Sequence, residues 1–226
     1  MKASSRIGIL GGTFDPVHLG HIDTARAAGA ALDLDEVMVV PSGTPPHRQS
    51  PAVSRYHRFA MTALAVTGVD RLRISDLEIG EVEASYTFDT LARLRARGLS
   101  ASQIFFITGA DAFAEIATGS RYPQVLDMSH FVVVSRPGHR STELPDRLPS
   151  IAKRMTPADR ESAVVAQPAI FLLDAETPDV SSTDIRRRLA NRESIAGLVP
   201  EAVGRYIDQH GLYARPEMSA IGRSLA

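Results

Sequence analysis

Six apolar runs of strand length alternate along this chain with six longer stretches of helical periodicity, and that alternation leaves few folds open. The runs are Ile7–Leu10, Glu36–Pro41, Leu72–Ser75, Gln103–Thr108, Phe131–Ser135 and Ile170–Asp174. The helical patterns cover His18–Ala31, Ser54–Thr67, Thr87–Arg97, Asp111–Ala117, Ser182–Asn191 and Pro200–His210. Short runs that are apolar on consecutive residues suit strands buried on both faces, and the intervening helices suit crossovers between parallel strands. The expected fold is therefore α/β, a Rossmann-like doubly wound parallel sheet with helices on both faces. Right-handed crossovers would put the ends of the first and fourth strands beside one crevice. Ser85 and Ser181 stand where the third and fifth helices need N-caps. The stretch from Pro137 to Gln167, rich in proline, arginine and acid, predicts surface loops with a short helix.

The chain has 226 residues, 44% of them hydrophobic, enough for a packed core. We read residues 1–213 as a single domain and 214–226 as a loosely ordered C-terminal tail. A formal net charge of -1 gives no broad electrostatic grip on nucleic acid or on an anionic membrane. With no cysteine, disulfides, thiolate metal sites and cysteine nucleophiles are all excluded. Nowhere do 18 apolar residues run together, and the first apolar run is too short for a signal peptide. The expectation is a cytoplasmic protein with small-molecule substrates, no nucleic acid and no membrane, and the sequence is compatible with a homo-oligomer.

The first strand runs into Gly11-Gly12-Thr13-Phe14-Asp15-Pro16-Val17-His18-Leu19-Gly20-His21. A strand ending in consecutive glycines lets backbone N–H groups approach a ligand, and the helix behind it aims its positive end at the same spot. Phosphate is the natural occupant. His18 and His21, three apart, share one helix face, with Gly20 between them offering no side chain to block approach. Two other readings compete. Asp15, His18 and His21 could hold a metal, but they lack a clear fourth partner. Gly8, Gly11 and Gly12 follow a strand start, yet their spacing fails Gly-x-Gly-x-x-Gly, and there is no P-loop.

Val180-Ser181-Ser182-Thr183-Asp184-Ile185-Arg186 opens a second helix N-terminus toward the solvent, which alone could be an ordinary capped helix. Arg186, Arg187 and Arg188 fan out about 100° apart, so they cannot all serve one ligand. Gly109-Ala110-Asp111 follows the fourth strand, which places Asp111 at the carboxyl end of the sheet, where α/β proteins bind ligands. Pro41-Ser42-Gly43-Thr44-Pro45-Pro46-His47-Arg48 is a turn-rich loop ending in two potential phosphate donors, although exposed His and Arg are usually only solvated.

The long glycine-to-histidine string resembles the signature of the nucleotidylyltransferase superfamily, in which a His-x-Gly-His element, here His18-Leu19-Gly20-His21, binds a nucleotide triphosphate. Further ordered matches from Ile7 to about Tyr213 are similar to the nicotinate-nucleotide adenylyltransferases. The resemblance implies catalytic roles for His18 and His21. It also implies ATP contacts from Gly11, Gly12, Thr13, Phe14, Gly20, Gly109, Asp111, Ser182, Thr183 and Arg186. Arg187 and Arg188 would be solvated. For the acceptor it implies His47 and Arg48, Thr87 of Ala84-Ser85-Tyr86-Thr87, and Arg136 of Ser135-Arg136-Pro137-Gly138. The family's Thr-Trp element, whose tryptophan stacks on the pyridine ring, is replaced by Thr118-Gly119-Ser120-Arg121-Tyr122, and the chain has no tryptophan at all. The aromatic platform would then come from Tyr122, come from elsewhere, or be absent.

The implied reaction joins nicotinate mononucleotide to the adenylyl group of ATP, giving deamido-NAD and pyrophosphate in NAD biosynthesis. Mg²⁺ would be the cofactor, held mainly by ATP phosphates and water, because the chain shows no carboxylate cage. Transfer to nicotinamide mononucleotide or phosphopantetheine, and a non-catalytic nucleotide sensor on the same fold, are the competing functions.

Overall fold

In β1 (Ile7–Gly12), Ile7 and Ile9 enter one core cluster and Leu10 enters another, because successive side chains of a strand face opposite sides. A strand covered on both sides has no place for a polar residue, which explains the unbroken apolar run. The computed structural model describes residues 5–45, 50–81, 83–84, 86–163 and 165–214. The other strands are β2 (Glu36–Pro41), β3 (Leu72–Ile74), β4 (Ile104–Gly109), β5 (His130–Val134), β6 (Met155–Pro157) and β7 (Ile170–Leu173). Among the described residues they form one sheet of seven strands in the order β3-β2-β1-β4-β5-β7-β6. All pairings are parallel.

Helices α1 (Leu19–Ala31), α2 (Arg55–Val66), α6 (Ser182–Ala190) and α7 (Glu201–Gln209) supply one core through Ile22, Met61, Ile185 and Val203. Helices α3 (Thr87–Ala96), α4 (Ala110–Ala114) and α5 (Leu144–Arg147) supply the other through Leu91, Phe113 and Leu144. The strand order reverses between β1 and β4, which opens the crevice foreseen from the sequence. Among the described residues no helix is long and apolar enough to cross a membrane.

Three details differ from expectation. The region after Pro137 holds a strand, β6, as well as short helical turns; it pairs with β7 at the sheet edge, where Pro157 withholds no needed donor. The fourth helix is a short α4 followed by a 3-10 turn at Ile116–Thr118 rather than one helix over Asp111–Ala117. Tyr86, not Ser85, caps α3, and it makes no side-chain capping bond; Ser85 itself lies outside the described residues. Ser181 caps α6 as expected, its hydroxyl accepting from the Asp184 N–H at 3.1 Å. Of the tail, only Ala214 is described.

Candidate active site

The loop from β1 to α1 is folded around Phe14. This residue takes a positive φ of 50° and turns its ring back into the core, where it is 2% exposed. A Cβ on Gly12 would lie 2.8 Å from that ring, so the second glycine is needed to admit Phe14. Any contact of Phe14 with a nucleotide therefore comes from its backbone. Gly11 is roomier, its Cβ position 3.6 Å from the nearest atom of Phe106.

His18 is the N-cap of α1 and is 2% exposed. Its ring stacks on that of His21 at 3.6 Å between centroids, and His21 also meets the Phe14 ring edge-on at 4.9 Å. Gly20 has a second reason to be glycine: a Cβ there would lie 3.1 Å from His18 Nδ1 and 3.4 Å from the Pro178 carbonyl oxygen. His21 Nδ1 accepts the His18 backbone N–H at 3.2 Å, so the neutral His21 ring carries its proton on Nε2. Burial, reinforced by the nearby Arg136 guanidinium, pulls His18 down to about 3. Two rings stacked this closely could not both be cationic without strong repulsion, and the lowered value keeps His18 neutral.

The start of α6 is bound directly to this loop. Ser182 Oγ donates to the Pro16 carbonyl oxygen at 2.8 Å, and Arg186 Nη1 donates to that of Asp15 at 2.6 Å. Arg186 Nη2 also reaches Thr183 Oγ1 at 3.3 Å. The two helix starts singled out in the sequence thus stand side by side, beyond the carboxyl end of β1. Arg187 and Arg188 do point elsewhere, although they are paired rather than merely solvated. Both grip Asp184, at 2.6 Å and 2.7 Å, and Arg187 also faces Glu193.

The Asp15 carboxylate is fully engaged, one oxygen accepting from the Ala52 N–H at 2.7 Å and the other from the Tyr213 hydroxyl at 2.8 Å. That removes it from the metal set considered above. Among the described residues no group of three His, Asp or Glu side chains could hold a metal ion. At the end of β4, Asp111 Oδ1 and Arg136 Nε lie 2.5 Å and 2.9 Å from where a Cβ of Gly109 would be. Gly109 is thus the floor on which these two side chains meet, and Arg136 ties that corner electrostatically to His18.

The residues expected around an acceptor stand on other elements. A parallel bridge between Thr44 and Ala84 brings the loop after β2 to the start of α3, where Thr87 is the first helical residue. Across the crevice, the Arg121 guanidinium sits over the ring of Phe88 at 4.9 Å, joining that helix start to the turn that carries half-buried Tyr122. A Cβ on Gly119 would lie 3.1 Å from the Ile116 carbonyl oxygen, so a side chain at this position would require the turn to give by a few tenths of an ångström. His47 and Arg48 lie outside the described residues.

Arg58 was missed in the sequence. It is 1% exposed and clamps two backbone carbonyls, Thr13 at 2.7 Å and Gly43 at 2.9 Å, holding the β1 loop to the β2 loop. The signal was present, because Arg58 falls on the apolar stripe of α2 with Met61 and Ala65.

The chain matches the model of the cytidylyltransferase-like family over residues 9–188. It is 42% identical to a probable nicotinate-nucleotide adenylyltransferase of Pseudomonas fluorescens, over 93% of this chain and 98% of that protein. It is 39% identical to one from Moorella thermoacetica, over 96% and 94%. Among solved structures, the Plasmodium falciparum nicotinic acid mononucleotide adenylyltransferase complexed with NaAD shares the fold with a TM-score of 0.70 at 18% identity, over 92% of this chain and 97% of that one. A family model that spans most of the chain, together with full-length relatives of this similarity, shows that the protein belongs to the cytidylyltransferase-like family and, within it, to the nicotinate-nucleotide adenylyltransferases.

Proposed function

We propose that the chain transfers the adenylyl group of ATP to nicotinate mononucleotide, with the triphosphate lying between the starts of α1 and α6. The observation that carries this reading is the bonding of one helix start to the other through the Asp15 and Pro16 carbonyls. Two positive helix ends, two histidines and Arg186 then converge on one anion.

A phosphate monoester oxygen of the acceptor attacks the α-phosphorus in line, and pyrophosphate departs. The second pKa of a phosphomonoester is about 6, so the nucleophile is already anionic near neutrality and needs no strong base. A buried His18 with a pKa of about 3 suits this chemistry, since it acts as a neutral N–H donor rather than a proton shuttle. His21 donates from Nε2, the proton position set by the His18 backbone. The remaining task is to stabilise charge on the phosphoryl oxygens and the leaving pyrophosphate, which Arg186, Thr183, Ser182 and the loop amides of Gly11, Gly12 and Thr13 do. Mg²⁺, carried on the nucleotide's oxygens and water, would neutralise part of the same charge, with Asp111 an exposed carboxylate just beyond the end of β4. Thr87, Tyr122 and Arg136, with His47 and Arg48, hold the acceptor.

The test is a parallel incubation with Mg-ATP and nicotinate mononucleotide, nicotinamide mononucleotide or phosphopantetheine, reading pyrophosphate. Release with the nicotinate acceptor at the highest kcat/KM is expected. Preference for either other acceptor would overturn the acceptor assignment, and release with none would favour a nucleotide sensor.

A further inference from the structure

The carboxylate in the middle of the anion loop is bound from the far end of the chain. Tyr213 stands 198 positions beyond Asp15, and its hydroxyl donates to Asp15 Oδ1 at 2.8 Å. The route there is built into the backbone. After α7 the chain reverses at Gly211, which has a φ of 57°, and the Leu212 N–H closes the turn on the Ile207 carbonyl oxygen at 3.0 Å. Tyr213 itself takes a φ of 65°, a left-handed conformation that an aromatic residue adopts only when its surroundings hold it there. Its ring packs against the same core as α1 and α6.

Asp15 does more than receive this bond. Its other carboxylate oxygen takes the Ala52 N–H, so the plane of the group is fixed from two sides. Its backbone carbonyl is the acceptor for Arg186 Nη1 at 2.6 Å, and Arg186 Nη1 lies 4.0 Å from Oδ2 as well. Orientation of the Asp15 peptide therefore sets where the Arg186 guanidinium points. Burial and the Asp15 charge push the Tyr213 phenol far above its ordinary range, which favours the protonated hydroxyl that donates to Asp15.

We propose that Tyr213 is a positioning residue for the nucleotide half of the site: its hydroxyl fixes Asp15, and Asp15 in turn aims Arg186 at the triphosphate. The inference rests on the proposed function only in taking the bound anion to be the triphosphate of ATP. A residue that merely filled core volume would be replaced by phenylalanine without kinetic effect, whereas loss of the hydroxyl leaves a buried carboxylate oxygen short of a donor beside Arg186.

The test uses the full chain with Tyr213→Phe, Asp15→Asn and the double variant. Expected for Tyr213→Phe is a five- to tenfold rise in the KM and Kd of ATP, with the KM of nicotinate mononucleotide within twofold of wild type and the far-ultraviolet circular dichroism unchanged. Because Tyr213 acts through Asp15, the double variant should bind ATP no more weakly than Asp15→Asn alone. Unchanged ATP affinity in Tyr213→Phe, an equal rise in both KM values, or additive losses in the double variant would each overturn the proposal. Should one variant fail to fold, the other still reports through its ATP Kd. Direct ATP binding also separates the two readings. A wild-type chain that binds ATP but adenylates no acceptor sinks the proposed function and leaves the Tyr213 link to be decided by the Kd ratio. A wild-type chain that binds no ATP sinks the link as well.

Discussion

The two halves of the crevice are built differently. On the nucleotide side, the loop of β1 is bonded to α6, α7's exit, α2 and the β2 loop through Ser182, Arg186, Tyr213 and Arg58, all by hydrogen bonds between residues far apart in the chain. On the acceptor side, the described ties include the bridge between Thr44 and Ala84, the cation–π contact between Arg121 and Phe88, and hydrogen bonds from Arg55 to the Ile79 and Glu81 carbonyls and from Thr90 to Glu78, and none of these reaches α6 or α7. The nucleotide half is pre-organised for charge that develops in the transition state, where misplacement is costly. The acceptor half draws its ties from the middle of the chain alone. The difference predicts that substitutions on the first side act on turnover and on ATP, and that those on the second act mildly and on the acceptor.

The largest expected effect belongs to the two histidines. His18→Ala and His21→Ala should each lower kcat by about two to three powers of ten, as for loss of one transition-state donor, while the circular dichroism spectrum persists. Steady-state kinetics with each substrate varied in turn would check this. A kcat within tenfold of wild type for either variant would break the picture of a pre-organised nucleotide half.

Arg58 comes next, and its effect should fall on stability. Arg58→Met retains the stem but leaves the Thr13 and Gly43 carbonyls without their donor, at about 1–3 kcal/mol each. For a chain of this size that is roughly 5–15 °C in Tm. Thermal unfolding followed by circular dichroism measures it. A shift of a degree or two would mean that the clamp contributes nothing to holding the two loops together.

The fold was legible in the sequence to a degree that the site was not, and the reason is locality. Strands such as β5 (His130–Val134), buried at every position, are apolar throughout after His130, and a helix start such as Ser181–Asp184 carries its own cap. β6 was not legible, because three residues ending in proline have no period to detect. The motif strings located His18, His21, Ser182 and Arg186, which stand at helix starts that the local sequence already implies. What joins them was invisible. A metal site that includes Asp15 stays open as a competing reading in the sequence, because nothing near it in the chain shows that Ala52 and Tyr213 occupy both its oxygens. Gly20 offers clearance for a ligand in the local sequence, and its close approach to the His18 ring is a second reason for glycine that only the fold shows.

Acid sensitivity provides a smaller and graded test. His18 is held down to about 3 and His130 to about 4, in both cases chiefly by burial, against 6.5 when exposed. The native protein thus binds these protons later than the unfolded chain. The stability that depends on them is complete above pH 6.5 and is lost as pH falls from there toward 4, at about 1.4 kcal/mol per pH unit for each group. His130 begins β5, at the end of the sheet away from the site, and its Nδ1 accepts the Ala169 N–H at 3.1 Å. His130→Asn keeps an acceptor there and should remove about half of the slope without changing kcat. Denaturant melts at pH 7, 6 and 5 would show it. An unchanged slope would place the acid sensitivity in the nucleotide half alone.

The smallest effect is expected at Arg121. Its guanidinium over Phe88 is exposed, and such contacts contribute about 0.5–1 kcal/mol. Arg121 has a φ of 58°, so asparagine, which tolerates that region, is a better replacement than alanine. Arg121→Asn should raise the KM of nicotinate mononucleotide about two- to fivefold and leave the KM of ATP and the Tm unchanged. Phe88→Leu, which removes the same contact from the other partner, should reproduce that pattern. If Arg121→Asn instead weakened ATP as much as Tyr213→Phe is expected to, the two halves would be one mechanical unit. A change confined to the acceptor would show that the two halves of the crevice respond separately, with the Arg121–Phe88 contact acting on the acceptor side alone.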